Sequence, residues 1–162
     1  MMYLLITTNL LFVSSNIFAQ GDESIKLLLM ENCRILRPYE VSEFIIHDQG
    51  GSSIKGTYEV GEVHFQLQDS RYFYHSDSIV VSFVHQSSRG DSRREYEVSL
   101  PTYVISGRYL IVNIYNFDDG SVSHYFRMKE GYSYEVEAPG YSSRLPVKSR
   151  RALRLKRKCN CY

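Results

Sequence analysis

The sequence predicts an all-β fold, a small antiparallel β-sandwich, and three observations carry that prediction. Tyr, Val, Ile, Phe and Thr dominate the patterned segments, with 14 Tyr and 8 Phe in 162 residues and no Trp. These segments are short and are punctuated by turn signals at intervals of about 8 to 12 residues. Apolar and polar residues alternate within them at the period of two that a half-buried strand requires, with no long helix, heptad or internal repeat. A small up-and-down β-barrel satisfies the same pattern and is the alternative architecture.

The first 19 residues read as a secretory signal peptide. Tyr3 to Val13 is an apolar run and Ile17-Phe18-Ala19 a small-residue end, so cleavage after Ala19 is expected. An apolar run of this length is too short to cross a bilayer as a helix. The expected location is therefore secreted, cell-surface or periplasmic, with no stable membrane span. Residues 20–147 suit one domain, and residues 148–162 form a basic, Cys-containing tail or last strand.

The elements can be justified in order. Ile25 to Met30 is apolar except at Lys26 and reads as a strand; Phe44-Ile45-Ile46 ends at the loop signal Asp48 to Ser53. In Gly56 to Gln68 the alternation changes phase at Gly61, which calls for a bulge or tight bend. Ser78 to Gln86 is apolar on both faces and reads as a central strand. Tyr96, Val98 and Leu100 alternate with Glu95, Glu97 and Ser99 in a half-exposed strand that Pro101 ends or marks as an edge. From Tyr103 to Tyr141 the chain reads as a three-stranded meander. Leu110, Val112 and Ile114 face one way, Asp119-Gly120 turns the chain, and Val122 to Met128 returns. Tyr132, Tyr134, Val136 and Ala138 then face inward, with Ser133, Glu135 and Glu137 outward.

The last of these strands, followed by Ala138-Pro139-Gly140-Tyr141, is similar to the closing strands of transthyretin-like and carboxypeptidase-regulatory-like sandwich domains. The resemblance implies a small secreted Ig-like or transthyretin-like sandwich with an accessory or adhesive role.

Charge is unevenly placed. The net +1 conceals seven basic and no acidic side chains in residues 148–162, which leaves 12 basic against 18 acidic in the rest of the chain. Arg150, Arg151, Arg154, Lys156, Arg157 and Lys158 could hold a polyanion through salt-sensitive attraction, although Leu153 and Leu155 between charges also fit a last strand with a solvated face. Nucleic acid is not the expected partner.

Arg89-Gly90-Asp91, in a polar loop, resembles the integrin-recognition tripeptide: a flexible apex holds a cation and a carboxylate apart. Tyr72, Phe73 and Tyr74 place three rings in a connection, where they could stack on a sugar or anchor a protein, or fill the core. Cys33, Cys159 and Cys161 are the disulfide candidates. Pairing of Cys33 with a terminal cysteine leaves one thiol over for intermolecular linkage. Their spacing lacks the paired C-x-x-C of a zinc site, and no metal or other cofactor is expected.

No catalytic motif accompanies the five histidines. His64 and His85 alternate with apolar residues and are expected to point outward, and His124 to sit in the core or at its rim. The paired carboxylates Glu95 and Glu97, like Glu135 and Glu137, fit solvated strand faces. The functional expectation is a non-catalytic binding or adhesion module for a protein or glycan, with two alternatives: a structural or assembly subunit linked through its odd cysteine, and a small barrel carrying a ligand.

Overall fold

A computed structural model describes residues 23–65, 76–87, 92–105, 109–118, 120, 122–128 and 130–149. Their eleven strands form two sheets. The first, in spatial order, contains β1 (Glu23–Ile25), β6 (Glu62–Phe65), β5 (Ser53–Glu59), β4 (Val41–Asp48), β7 (Ser78–Gln86) and β8 (Arg93–Pro101). The second contains β11 (Tyr141–Ser143), β10 (Tyr132–Ala138), β9 (Leu110–Asn116), β2 (Leu27–Glu31) and β3 (Arg34–Ile35).

The molecule is a β-sandwich, as the alternation predicts. Ile79, Val81 and Phe83 of β7 and Tyr96, Val98 and Leu100 of β8 share one buried cluster with Leu27 and Leu29 of β2 and Leu110, Val112 and Ile114 of β9. Strands of the two sheets do not pair with one another among the described residues, so the barrel alternative is not realised. Phe44, Phe83 and Tyr96 run as a line of rings through the core, with centroids 6.4 and 5.6 Å apart.

Local chemistry sets the connections. Gly61 closes the β5–β6 hairpin at φ +91°, a left-handed conformation that a Cβ would strain, so the change of phase in the sequence marks a tight bend. β4 carries a bulge between Ser42 and Ile45, with Glu43 at φ 52°, and the exposed Glu43 carboxylate meets Arg93 at 2.7 Å.

Two expectations need correction. Residues 122–125 form turns, and Phe126 makes only an isolated bridge to Val147, so the meander has no middle strand. β10 instead pairs directly with β9, and the connection between them folds over the outer face of the second sheet. There Tyr115, Phe117, Val122 and Phe126 build a small second core with Leu145 and Val147 against it. The apolar alternation in Val122 to Met128 was real, but it serves a packed loop.

The second correction concerns direction. β2 and β9 run parallel, Leu27 opposite Leu110 through Glu31 opposite Ile114, within an otherwise antiparallel sandwich. A parallel neighbour needs a long crossover, and here the first sheet from β4 to β8 lies between the two strands in the sequence.

Ile114 is fully buried between the sheets. Ile114→Ala should lower unfolding stability by about 3 kcal/mol through lost transfer energy and a residual cavity, read as a reduced urea midpoint at unchanged slope.

Candidate functional site

The features with chemical content gather at one end of the sandwich, where β2 ends, β7 turns into β8, and β9 leaves for the 117–131 connection. Glu31, the last residue of β2, points between the sheets. Its Oε2 lies 3.1 Å from His85 Nδ1 on β7, while Oε1 accepts the Tyr96 hydroxyl of β8 and, at 3.4 Å, the Asn116 side-chain amide of β9. One carboxylate therefore joins both sheets.

The turn that follows is built to hold it there. Asn32 and Cys33 adopt positive φ, 49° and 68°, and their strain is offset by specific bonds. Asn32 donates its N–H to the Ile114 carbonyl at 2.7 Å and accepts the Asn116 N–H on its side chain at 2.9 Å. Cys33 N–H donates to Asn113 Oδ1 at 3.1 Å. Close by, Glu40 is buried at the end of the 3-10 turn Pro38–Glu40, where Arg34 Nη1 donates to both carboxylate oxygens at 2.9 Å and the Arg37 N–H to Oε2 at 2.8 Å.

Burial pushes the Glu31 carboxyl up, but the His85 and Tyr96 hydrogen bonds and the neighbouring imidazole more than offset it, and the group sits below its ordinary value. Glu40 is likewise raised by burial and then lowered further by the Arg37 N–H and Arg34, again with a net fall. Burial pushes the Tyr96 phenol strongly up, and its bond to Glu31 adds to the shift, so the hydroxyl keeps its proton and acts as a donor.

His85 reverses its expected orientation. Its position in β7 shares the inward parity of Ile79, Val81 and Phe83, and the residue is 5 % exposed. Val84, which interrupts the simple alternation, is buried too, so periodicity could not assign the faces. Nδ1 is committed to Glu31, while Nε2 has no hydrogen-bond partner among the described residues. A carboxylate–imidazole pair of this kind can support proton transfer only if a reacting group reaches Nε2. Nε2 is enclosed, and the arrangement acts as a polar latch.

Glu135 also departs from expectation. Its parity is outward, but the loop covers that face, and the carboxylate accepts the Tyr115 hydroxyl at 2.8 Å and the Leu145 N–H at 2.9 Å. Glu95, Glu97 and His124 are exposed.

Beside the latch is a pocket of about 220 Å³ lined by Arg94, Glu95, Tyr96, Asp118, Gly131 and Tyr132. Arg94 Nη1 meets Asp118 Oδ2 at 3.3 Å, and Asp118 Oδ1 accepts the Gly131 N–H at 2.7 Å, which secures the long connection to the sheet edge. The Tyr132 ring stands edge-on to Tyr96 at 4.9 Å. The recess thus presents an ion pair, a further carboxylate, the exposed Tyr132 ring and strand-edge backbone. Sequence patterning gave no signal for it, because its residues come from three separated segments.

Tyr72, Phe73 and Tyr74, Arg89, Gly90 and Asp91, the basic residues Arg150, Arg151, Arg154, Lys156, Arg157 and Lys158, Cys159 and Cys161, and the leader 1–19 lie outside the described residues. Ser87 and Ser92, which flank the tripeptide, are joined by an N–H to carbonyl bond of 3.0 Å. Lys148, where the basic tail begins, donates its N–H to the Tyr125 carbonyl and its ammonium to the Ser123 carbonyl. Cys33 packs against the second core, with its sulfur 3.5 Å from Asn113 Nδ2. Among the described residues no group of three or more His, Cys, Asp or Glu could hold a metal, and no helix is long and apolar enough to cross a membrane.

Because Glu31 and Glu40 are held below 4.5 in the folded chain, the stability they contribute is fully present above that value and is lost as pH falls through their lower folded values. Urea titrations should show a falling midpoint below about pH 4.5. Glu31→Ala should cost about 3 kcal/mol at pH 7, because it strands His85 and Tyr96, and should flatten part of the acid slope. No family model, curated protein or solved structure matches the chain.

Proposed function

We propose that the chain is a secreted binding or adhesion module without catalytic activity, and that it contacts a protein or glycan partner at the end of the sandwich carrying the Arg94–Tyr132 pocket. The pocket is the observation that carries this reading. It is open to solvent-borne ligands, its polar groups are fixed by the Arg94–Asp118–Gly131 contacts, and the exposed Tyr132 ring gives it apolar area at little entropic cost.

The test uses two displayed libraries, a glycan array and a random-peptide display, probed with the full chain. Enrichment in either library that is lost in Arg94→Ala and Tyr132→Ala supports the proposal. Absence of enrichment in both, or retention in both variants, overturns it.

Two further contacts belong to this reading. The basic tail is a second, polyanion-directed contact. Elution from a heparin column should move to lower salt on neutralising Arg154, Lys156, Arg157 and Lys158, with a weaker dependence on salt. Cys33 is paired with Cys159 or Cys161, which ties the tail to the domain and would stabilise it by closing a loop of over a hundred residues. Peptide mapping without reduction should recover the crosslinked peptide; a disulfide-linked dimer on a non-reducing gel would favour the assembly-subunit alternative.

A further inference from the structure

Among the described residues β8 is an edge strand of the first sheet, paired by β7 on one side only. On the other side, alternate residues of such a strand turn their N–H and C=O outward, and these groups need partners or solvent. In β8 they belong to the odd-numbered residues, and two of those are met by tyrosine hydroxyls from β10 of the opposite sheet. Glu97 N–H donates to Tyr132 Oη at 3.0 Å, and the same hydroxyl contacts the Glu97 carbonyl at 3.4 Å. Ser99 N–H donates to Tyr134 Oη at 3.1 Å, and that hydroxyl contacts the Ser99 carbonyl at 3.3 Å.

Each hydroxyl is both acceptor and donor, so it stands in for one residue of an adjoining strand. Glu95 is the next residue of the same parity. Among the described residues no hydroxyl meets its backbone, and it borders the pocket. The edge therefore has one open position followed by two that are closed by groups a strand could replace one for one.

We propose that the free edge of β8 is a strand-addition site for an extended basic segment of a partner protein, held partly shut by Tyr132 and Tyr134. The proposal rests on the binding-module reading and names the partner chemistry. Backbone pairing supplies affinity in this mode, and alternate side chains supply specificity. Glu95 and Glu97 are exposed on the outer face beside the edge, while Arg93 is already neutralised by Glu43 at 2.7 Å. An added strand would set every second side chain next to those two carboxylates, where a Lys or Arg is favoured. The intervening side chains would meet the Tyr132 and Tyr134 rings, where apolar groups are favoured. The fitting segment alternates basic and apolar residues.

The probe is an acetylated heptapeptide of alternating lysine and valine, with a second version N-methylated at the positions that would donate to the edge. The methylated version keeps every charge and loses the backbone donors. Binding is read on the full chain by amide hydrogen exchange and titration. The first peptide should slow exchange at Glu95 and Glu97, and the methylated one should not. Tyr132→Phe/Tyr134→Phe keeps both rings but removes the competing hydroxyls, and should tighten peptide binding by about tenfold. Single Tyr134→Phe, expected to tighten binding less, replaces it if the double variant is misfolded by circular dichroism.

Equal binding of the methylated peptide overturns strand addition in favour of charge attraction alone. Protection confined to other strands, or no binding to either protein, also overturns it. Self-association of the Phe variant without peptide binding overturns it in favour of a second copy of the chain as occupant. Enrichment of glycans at the pocket with no peptide effect overturns this inference while leaving the binding-module reading intact.

Discussion

The Glu31 carboxylate is the constraint on which the arrangement of the two sheets depends. It leaves the end of a strand in one sheet and accepts bonds from side chains of β7 and β8 in the other. Apolar contact alone is tolerant of sliding, because one β-branched side chain packs much like another. A buried charge is not, since any displacement that breaks its bonds leaves a desolvated carboxylate. The latch therefore fixes the register of one sheet over the other, and the positions of β8, Tyr132 and the pocket follow from it. The Nε2 of His85, which has no hydrogen-bond partner among the described residues, is a cost of that arrangement, since an unpaired buried polar atom is unfavourable by about 1–3 kcal/mol.

Tyrosine carries the same logic to the outside of the sandwich. Buried Tyr96 uses its hydroxyl on Glu31 and its ring on Phe83 and Tyr132. Tyr58 spans the layers in a similar way, accepting the Leu29 N–H and donating to the Leu36 carbonyl. Tyr132 and Tyr134 reach the backbone of β8. A residue with an apolar body and a polar tip can close a gap between two sheets at both levels, and four of the fourteen tyrosines are used in this way.

How much of this could be read in the sequence depended on the kind of information involved. Tyr96, Val98 and Leu100 against Glu95, Glu97 and Ser99 give the strand and its buried face correctly, because alternation acts locally. Gly61 marked a bend for the same reason. The orientation of His85 is not legible because a histidine at the end of an apolar run looks alike whether it faces water or a carboxylate from a strand over fifty positions away. Glu135 was assigned its correct face, but the cover supplied by Leu145 is not local. Phe126 alternated as a strand residue should, yet the connection around it packs as a loop. The pocket was invisible, since Arg94, Asp118 and Gly131 meet only in three dimensions.

The parallel pairing of β2 with β9 also divides the molecule in time. β4 through β8 belong to one sheet, and its inner strands have all the partners they need by the time residue 101 has been synthesised. β2, made before them, has only the two residues of β3 to pair with until β9 follows, its partner residues more than eighty positions later. During that interval its apolar face and the future Glu31 latch are unpartnered by their own sheet. The order of synthesis and the order of assembly are thus opposed for this strand, which waits for β9 before its own sheet can form around it.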